Sequence, residues 1–236
     1  SYCIVPYVRG RERSREPEAV LEECTRLVDQ GVQEITLLGQ NVNSYRGGGS
    51  EFAELLRRVD ALGVPRIRFM TSHPKDLSDE LICAYGELAH LMPALHLPVQ
   101  AGNDEILQAM NRRYTRAHYL ELVKKLRSVK PDVGLTSDII VGFPGETEEE
   151  FQETLDFCER VGFSRLHVFP YSPREGTPAA AMDGQVDEAV KARRVHRLIA
   201  LGGDLSRRYR EGFLGQCAPV LLEEALPGGG AEGYTP

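Results

Sequence analysis

The sequence predicts an α/β protein in which parallel strands and crossover helices form a barrel or part of one. Three observations carry that prediction. Short β-branched runs alternate with amphipathic stretches along most of the chain, the pattern of a parallel sheet crossed over by helices. Six such runs succeed one another in one series, at 3–7, 34–38, 66–70, 94–97, 134–141 and 165–169. The segments after them are polar, amide-rich and punctuated by Gly and Pro, as expected where the carboxyl ends of parallel strands hold a ligand.

Each element has its own signals. After the first strand, Pro17 suits a first helical turn, Val20, Leu21, Cys24, Leu27 and Val28 make one apolar face, and Gly31 is placed to end the helix. A helix over 77–88 carries Cys83, which reads as a core residue like Cys24. Thr147 and Glu150 have the spacing of a capping box, with Phe151, Leu155 and Cys158 recurring at helical period behind it. A long helix over 188–210 has Val190, Val195, Leu198, Ile199 and Leu205 as its apolar residues, and Lys191, Arg193, Arg194, Arg197, Arg207, Arg208 and Arg210 on its other faces. A last strand is expected at 219–222, before a loop at 227–230.

With 236 residues the chain fits one large domain and a small appendage. Its 42% hydrophobic and 27% charged residues are ordinary for a globular protein. No stretch approaches the roughly 20 apolar residues of a membrane span, and 1–10 has no apolar signal core, so a soluble, cytoplasmic protein without membrane contact is expected. Five scattered cysteines argue against a disulfide framework. A net charge of −7 excludes a domain that is basic all over, and any RNA contact has to be local. Arg9, Arg11, Arg13 and Arg15, together with the basic residues of the long helix, are the candidates.

Strand two runs into Gly39-Gln40-Asn41-Val42-Asn43, strand three into Thr71-Ser72-His73-Pro74, and strand four into Pro98-Val99-Gln100-Ala101-Gly102. Strand five holds Asp138 before Gly142-Phe143-Pro144-Gly145-Glu146. No Gly-Lys-Ser/Thr comes after those glycines, which argues against a phosphate loop, and no H-x-x-x-H or paired cysteine supports zinc. His73, His90 and His96 read as hydrogen-bonded strand-end or surface groups. A nucleophile elbow is absent.

Ser1-Tyr2-Cys3-Ile4-Val5-Pro6-Tyr7 with Arg9-Gly10 and Ser14-Arg15 resembles the tail of the C-x-x-x-C-x-x-C cluster motif of the radical S-adenosylmethionine (SAM) methylthiotransferases. The Gln40-Asn41 stretch, Thr71-Ser72-His73-Pro74, His96-Leu97-Pro98-Val99-Gln100, residues 138–147 and Tyr171-Ser172-Pro173-Arg174-Glu175-Gly176-Thr177-Pro178 match the same family in order. The resemblance implies a partial (β/α)6 radical SAM barrel at 1–212 and, at 213–236, the first strand of a C-terminal all-β TRAM domain that binds RNA. It also implies a 4Fe-4S cluster with Cys3 as a ligand. The motif's other two cysteines fall before Ser1, as does an N-terminal domain with a second 4Fe-4S cluster.

By the same resemblance Gln100 and Asp138 contact the ribose of SAM, Arg112 pairs with its methionyl carboxylate, and Gln40 and Asn41 lie on the rim. These residue types suit the task, since a carboxylate accepts two vicinal hydroxyls and a guanidinium grips a carboxylate with two bonds. The implied partners are the anticodon stem-loop of tRNA and an electron donor such as flavodoxin or ferredoxin, with the protein a monomer. The Gln40-Asn41-Val42-Asn43 and Thr71-Ser72-His73-Pro74 stretches resemble the branch acting on isopentenyladenosine. Leu166-His167-Val168-Phe169-Pro170-Tyr171 and Glu232-Gly233-Tyr234-Thr235 resemble the threonylcarbamoyladenosine branch. Two readings of other classes stand beside these. One is an ordinary barrel enzyme such as an aldolase, disfavoured because no strand candidate supplies an internal Lys. The other is an inactive barrel fragment that retains RNA affinity.

Overall fold

A computed structural model describes residues 1–10 and 12–236, with Pro6 and Tyr7 by their backbone alone. The elements are α1 (Val5–Arg9), α2 (Pro17–Asp29), β1 (Glu34–Leu37), the short hairpin β2 (Arg46–Gly47) and β3 (Ser50–Glu51), and α3 (Phe52–Asp60). Then come β4 (Arg66–Phe69), α4 (Asp79–Glu87), β5 (Ala94–His96), α5 (Asp104–Ala109), α6 (Arg116–Val129), β6 (Gly134–Val141), α7 (Glu148–Val161) and β7 (Arg165–Pro170). The long α8 (Glu188–Glu211) leads to a terminal hairpin, β8 (Leu221–Leu226) and β9 (Gly230–Tyr234).

Five strands run parallel. β1 pairs with β4, and β5, β6 and β7 pair in that order. A bridge from Ile67 to Leu91, just ahead of β5, joins the two groups. The order β1-β4-β5-β6-β7, each step crossed by helix, is the partial barrel expected from the sequence. One face of the strands packs under the helices: Ile35, Ile67, Phe69, Leu95, Leu135 and Ile139 are buried. Alternation along a strand turns Arg66, Arg68, His96, Thr136, Asp138 and His167 to the opposite, inner face.

The local signals act as the sequence predicts. Thr147 and Glu150 form a complete capping box, and Gly162 takes the left-handed conformation that ends α7. Cys24 and Cys158 lie in the core. Three tyrosines fix the β5 segment, as the Tyr85, Tyr119 and Tyr114 hydroxyls donate to the carbonyls of Ala94, Leu97 and Val99 at 3.1, 2.8 and 2.9 Å. Each buried aromatic ring contributes about 1.5–3 kcal/mol of hydrophobic stabilisation, and the hydroxyl bonds keep that burial free of an unmet donor.

Four expectations are corrected. Residues 3–7 form no strand; Val5–Arg9 is helical, with Pro6 in its first turn and Gly10 at φ 71° closing it. Pro fits a first helical turn and lacks the N–H that a ladder needs. Cys83 is exposed, because Leu81, Ile82, Ala84 and Tyr85 take the buried side of α4. In α8, Lys191 and Arg194 are buried and Ile199 is exposed. The tail is not a single strand at 219–222 but the antiparallel pair β8–β9, with an irregularity at Leu222/Glu224.

Candidate functional site

The loops after β1 and β4 are tied to each other. Asn43 Nδ2 donates to the His73 carbonyl at 3.0 Å while its Oδ1 accepts the His73 N–H at 2.9 Å. The Val42 N–H donates to the Thr71 carbonyl at 3.0 Å, and Asn41 Nδ2 donates to Asp76 Oδ2 at 2.7 Å. Thr71 sits at φ 68°, a left-handed conformation costly for a β-branched residue. Such strain persists where the surroundings over-determine it, often at ligand sites. Asn41 Oδ1 and Ser72 Oγ are buried here without a hydrogen-bond partner, so the loops keep polar capacity unused.

Arg112, beyond α5, reaches into the same place. One guanidinium nitrogen faces His73 Nε2 at 2.7 Å and another donates to the Tyr2 hydroxyl. The guanidinium also lies over the Tyr2 ring, 5.6 Å from its centroid. Burial and the Arg112 charge push His73 down to about 4, so its ring is neutral at physiological pH. Its Nδ1 also faces the Lys75 N–H, at 3.2 Å. A neutral imidazole has one lone pair to offer, and it cannot serve both donors.

Tyr2 fixes the start of the chain, and Cys3 beside it is exposed. The Ser1 hydroxyl donates to the Ala109 carbonyl at 2.7 Å. Tyr2 and Arg112 both lie within electrostatic reach of Cys3.

Gln100 and Asp138 meet across the β5 and β6 ends. The Gln100 N–H donates to the Asp138 carbonyl at 3.0 Å, and the Ile140 N–H to the Gln100 carbonyl at 2.9 Å. Gln100 is buried with φ 76°, a second non-glycine residue in the left-handed region at a strand end. The Asp138 side chain remains 30% exposed toward the inner face and lies within electrostatic reach of Tyr2. Thus Cys3, Gln100, Arg112, Asp138 and Asn41 gather at the carboxyl ends of the strands. Gln40 is exposed and lines, with Asn41, Thr36 and Leu38, a cavity of about 490 Å³ beside β1.

Sequence reasoning missed the residues that hold this arrangement together. Tyr2 was legible only as the neighbour of a cysteine; His73, read as a hydrogen-bonded strand-end group, is one, but nothing in spacing announces that one arginine joins the two. It also missed the clamp under the loop at 142–146. Glu146, with a side chain 1% exposed, accepts from the Gly142 N–H at 2.6 Å and from Arg194 at 2.8 Å. Burial pushes its carboxyl up to about 7, against the Gly142 and Arg194 bonds that favour the charged form. Lys191 lies 5.6 Å over the Tyr171 ring, and a Cβ on Gly142 would collide with its side chain.

The basic patches are smaller than expected. With Lys191 and Arg194 buried, the exposed Arg197, Arg207 and Arg208 pair with Glu148, Asp204 and Glu159. At the chain start Arg15 pairs with Glu23, and Arg11 lies outside the described residues. Among the described residues no helix is long and apolar enough to cross a membrane.

Two groups implied by the resemblance can be tested against these residues. For SAM the donor set fits: a part-exposed carboxylate, a guanidinium, and buried acceptors without partners. For a 4Fe-4S cluster it does not suffice, because Cys3 is one thiolate and no group of three or more His, Cys, Asp or Glu among the described residues could hold a metal.

Comparison with known proteins adds three findings. A family model described as the radical SAM superfamily matches residues 1–158. The tRNA-2-methylthio-N(6)-dimethylallyladenosine synthase of Thermoanaerobacter sp. (strain X514) is 55% identical over 227 residues, 94% of this chain and 48% of that protein. The enzyme of the same name from Moorella thermoacetica is 53% identical, over 94% of this chain and 51% of its own. The chain therefore spans about half the length of the curated relatives it matches. Among solved structures, coproporphyrinogen III oxidase from Escherichia coli, described as a radical SAM enzyme, superposes with a TM-score of 0.58 at 17% identity, covering 80% of this chain and 45% of that one. Methylornithine synthase gives 0.57 at 16%, covering 89% and 64%.

Proposed function

The chain belongs to the radical SAM superfamily, and on that premise we propose that it is the barrel of a tRNA-modifying enzyme that methylthiolates C2 of isopentenyladenosine beside the anticodon. Agreement of two kinds supports the reading. Relatives 51–55% identical over almost all of this chain share one name, and the polar side chains that suit SAM gather at one end of the sheet.

With a reduced 4Fe-4S cluster, bound SAM would supply radical chemistry able to act on unreactive C–H bonds. The chain's own work is orientation. Asp138 accepts the ribose hydroxyls, and the Gln100 backbone, locked against Asp138 and Ile140, fixes the strand end from which it acts. Arg112 takes the methionyl carboxylate, and a carboxylate arriving there relieves the competition of two donors for the one lone pair of His73. Asn41 and Gln40 face the rim. No acid–base pair is needed, and no side chain is asked to act as one.

A cluster built on Cys3 takes its other thiolates from outside these 236 residues. The second cluster, the electron donor of the flavodoxin or ferredoxin kind and the monomeric state belong to this proposal for the whole protein, as does an RNA-binding unit beginning at 213. The same relatives favour the isopentenyl branch over threonylcarbamoyladenosine.

Mass spectrometry of tRNA nucleosides from a strain lacking the gene tests the reading. Loss of the methylthio-isopentenyl nucleoside is expected. Loss of the methylthio-threonylcarbamoyl nucleoside alone assigns the enzyme to the other branch.

A further inference from the structure

The inner face of the sheet carries two histidines that the cofactor reading leaves unused. His96 on β5 and His167 on β7 flank Asp138 on β6. The parallel register sets His96 beside Thr136 and Asp138 beside His167. The helix-facing neighbours Leu95, Leu97, Ser137 and Ile139 are buried, so alternation turns all three groups to the inner face.

The two histidines differ in what they have left to give. His96 is hydrogen-bonded at Nδ1, 2.9 Å from Thr136 Oγ1, and its Nε2 lies near the Asp138 carboxylate, 3.5 Å from Oδ2, with its side chain 13% exposed. His167 touches His96 edge to face, ring centroids 5.9 Å apart at 85°. No hydrogen bond joins its ring to another described residue, and it is half-buried. The trio is not arranged to hold a metal. Beyond it, Phe169, one inner-face step nearer the strand ends, is 50% exposed.

Asp138 is the group that holds the cofactor ribose in the proposed function, and this inference rests on that reading. The reactive carbon of the cofactor would be attached to that same ribose. Reacting atoms approach to about 3–3.5 Å, and neighbouring strands lie about 4.8 Å apart. A base presented for reaction therefore comes against the side chains beside Asp138 on the adjoining strands. A flat imidazole with a nitrogen outside any hydrogen bond can both stack on a purine and bond its edge.

We propose that His167 contacts the purine ring of the substrate adenosine, and that His96 is a positioning residue that orients the Asp138 carboxylate. His167 thus sorts with the substrate and His96 with the cofactor, although both sit on the same face.

The test uses the whole protein with its cluster loaded, as wild type, His167→Ala, His167→Phe, His96→Ala and His96→Gln. Binding is read by fluorescence anisotropy with two stem-loop RNAs, one carrying adenosine at the target position and one abasic there. Wild type prefers the adenosine RNA by about tenfold, His167→Ala loses that preference, and His167→Phe, which keeps a flat ring, recovers most of it. In turnover, His167→Ala lowers methylthiolated product at least tenfold while deoxyadenosine release stays within about twofold. His96→Ala weakens SAM binding with the RNA preference intact, and His96→Gln, which can still donate to Asp138, restores SAM binding in part.

An equal loss on both RNAs, or product and deoxyadenosine falling together in His167→Ala, overturns the role given to His167. SAM affinity unchanged in His96→Ala overturns the role given to His96. If wild type makes no methylthio-isopentenyl nucleoside, the functional reading fails, yet the adenosine-versus-abasic comparison still decides the contact.

Discussion

At the scale of single residues, burial and charge decide what each group can do. Asp138 keeps a part-exposed carboxylate on the inner face while its backbone is fixed by Gln100. Asp138→Ala is expected to weaken SAM binding by about 1–3 kcal/mol, the cost of leaving hydrogen-bonding partners unmet, with the thermal transition unchanged; calorimetry on the cluster-loaded whole protein checks it. His73 takes up its proton at a lower pH than a surface histidine, because burial and Arg112 hold it down to about 4 against a usual 6.5. Between those values the unfolded chain binds the extra proton and the folded one does not. His73 therefore stabilises the fold above pH about 6.5, and that contribution is lost as pH falls through about 4. Relative to His73→Gln, wild type should lose about 1–2 kcal/mol over that range in urea melts, an allowance made for partial exposure. The residues at strand ends were legible in the sequence because amides, Gly and Pro cluster there. The link between Tyr2 and His73 was not, because it runs through Arg112, which is more than a hundred positions from one and nearly forty from the other.

At the scale of elements, pattern and caps carried most of the reading. The periodicity of α2 and α7 and the Thr147 box were visible because a helix writes its signals within four residues. The segment at 3–7 misled because β-branched residues surround a proline whose place is a first helical turn, completed only by residues up to Gly10. The basic face of α8 misled for another reason: Lys191 and Arg194 read as solvated, and only the loop at 142–146, some 50 residues earlier in sequence, explains their burial. Two substitutions separate strain from clash. Gly142→Ala pushes a methyl into Lys191 at a φ of 71°, and should destabilise the fold by about 2 kcal/mol or more and weaken SAM binding with it. Thr71→Asn keeps φ 68° with a residue that tolerates it, and should stabilise by about 1 kcal/mol. Differential scanning calorimetry of both variants gives the signs, and a Thr71→Asn protein less stable than wild type would show that the Thr71 methyl packs usefully despite its backbone.

At the scale of the whole molecule, the sheet gathers the polar side chains proposed to hold SAM, and among the described residues brings one thiolate, Cys3, to them. Reconstituted anaerobically with iron and sulfide, the 236-residue chain should hold no stable 4Fe-4S cluster, whereas a form extended upstream to include two further cysteines should show brown absorbance that Cys3→Ala removes. Iron retained by the short chain after Cys3→Ala would place the ligand elsewhere. The tail is joined to the barrel through its backbone. Arg66 donates to the carbonyls of Tyr234 and Pro219 at 2.8 and 3.2 Å, and Arg68 to that of Thr235 at 3.2 Å. The two arginines thus grip main chain, common to every sequence. The hairpin's side chains can therefore be rewritten, by evolution or by an engineer grafting a different surface there, without renegotiating the joint, so long as Arg66 and Arg68 stay.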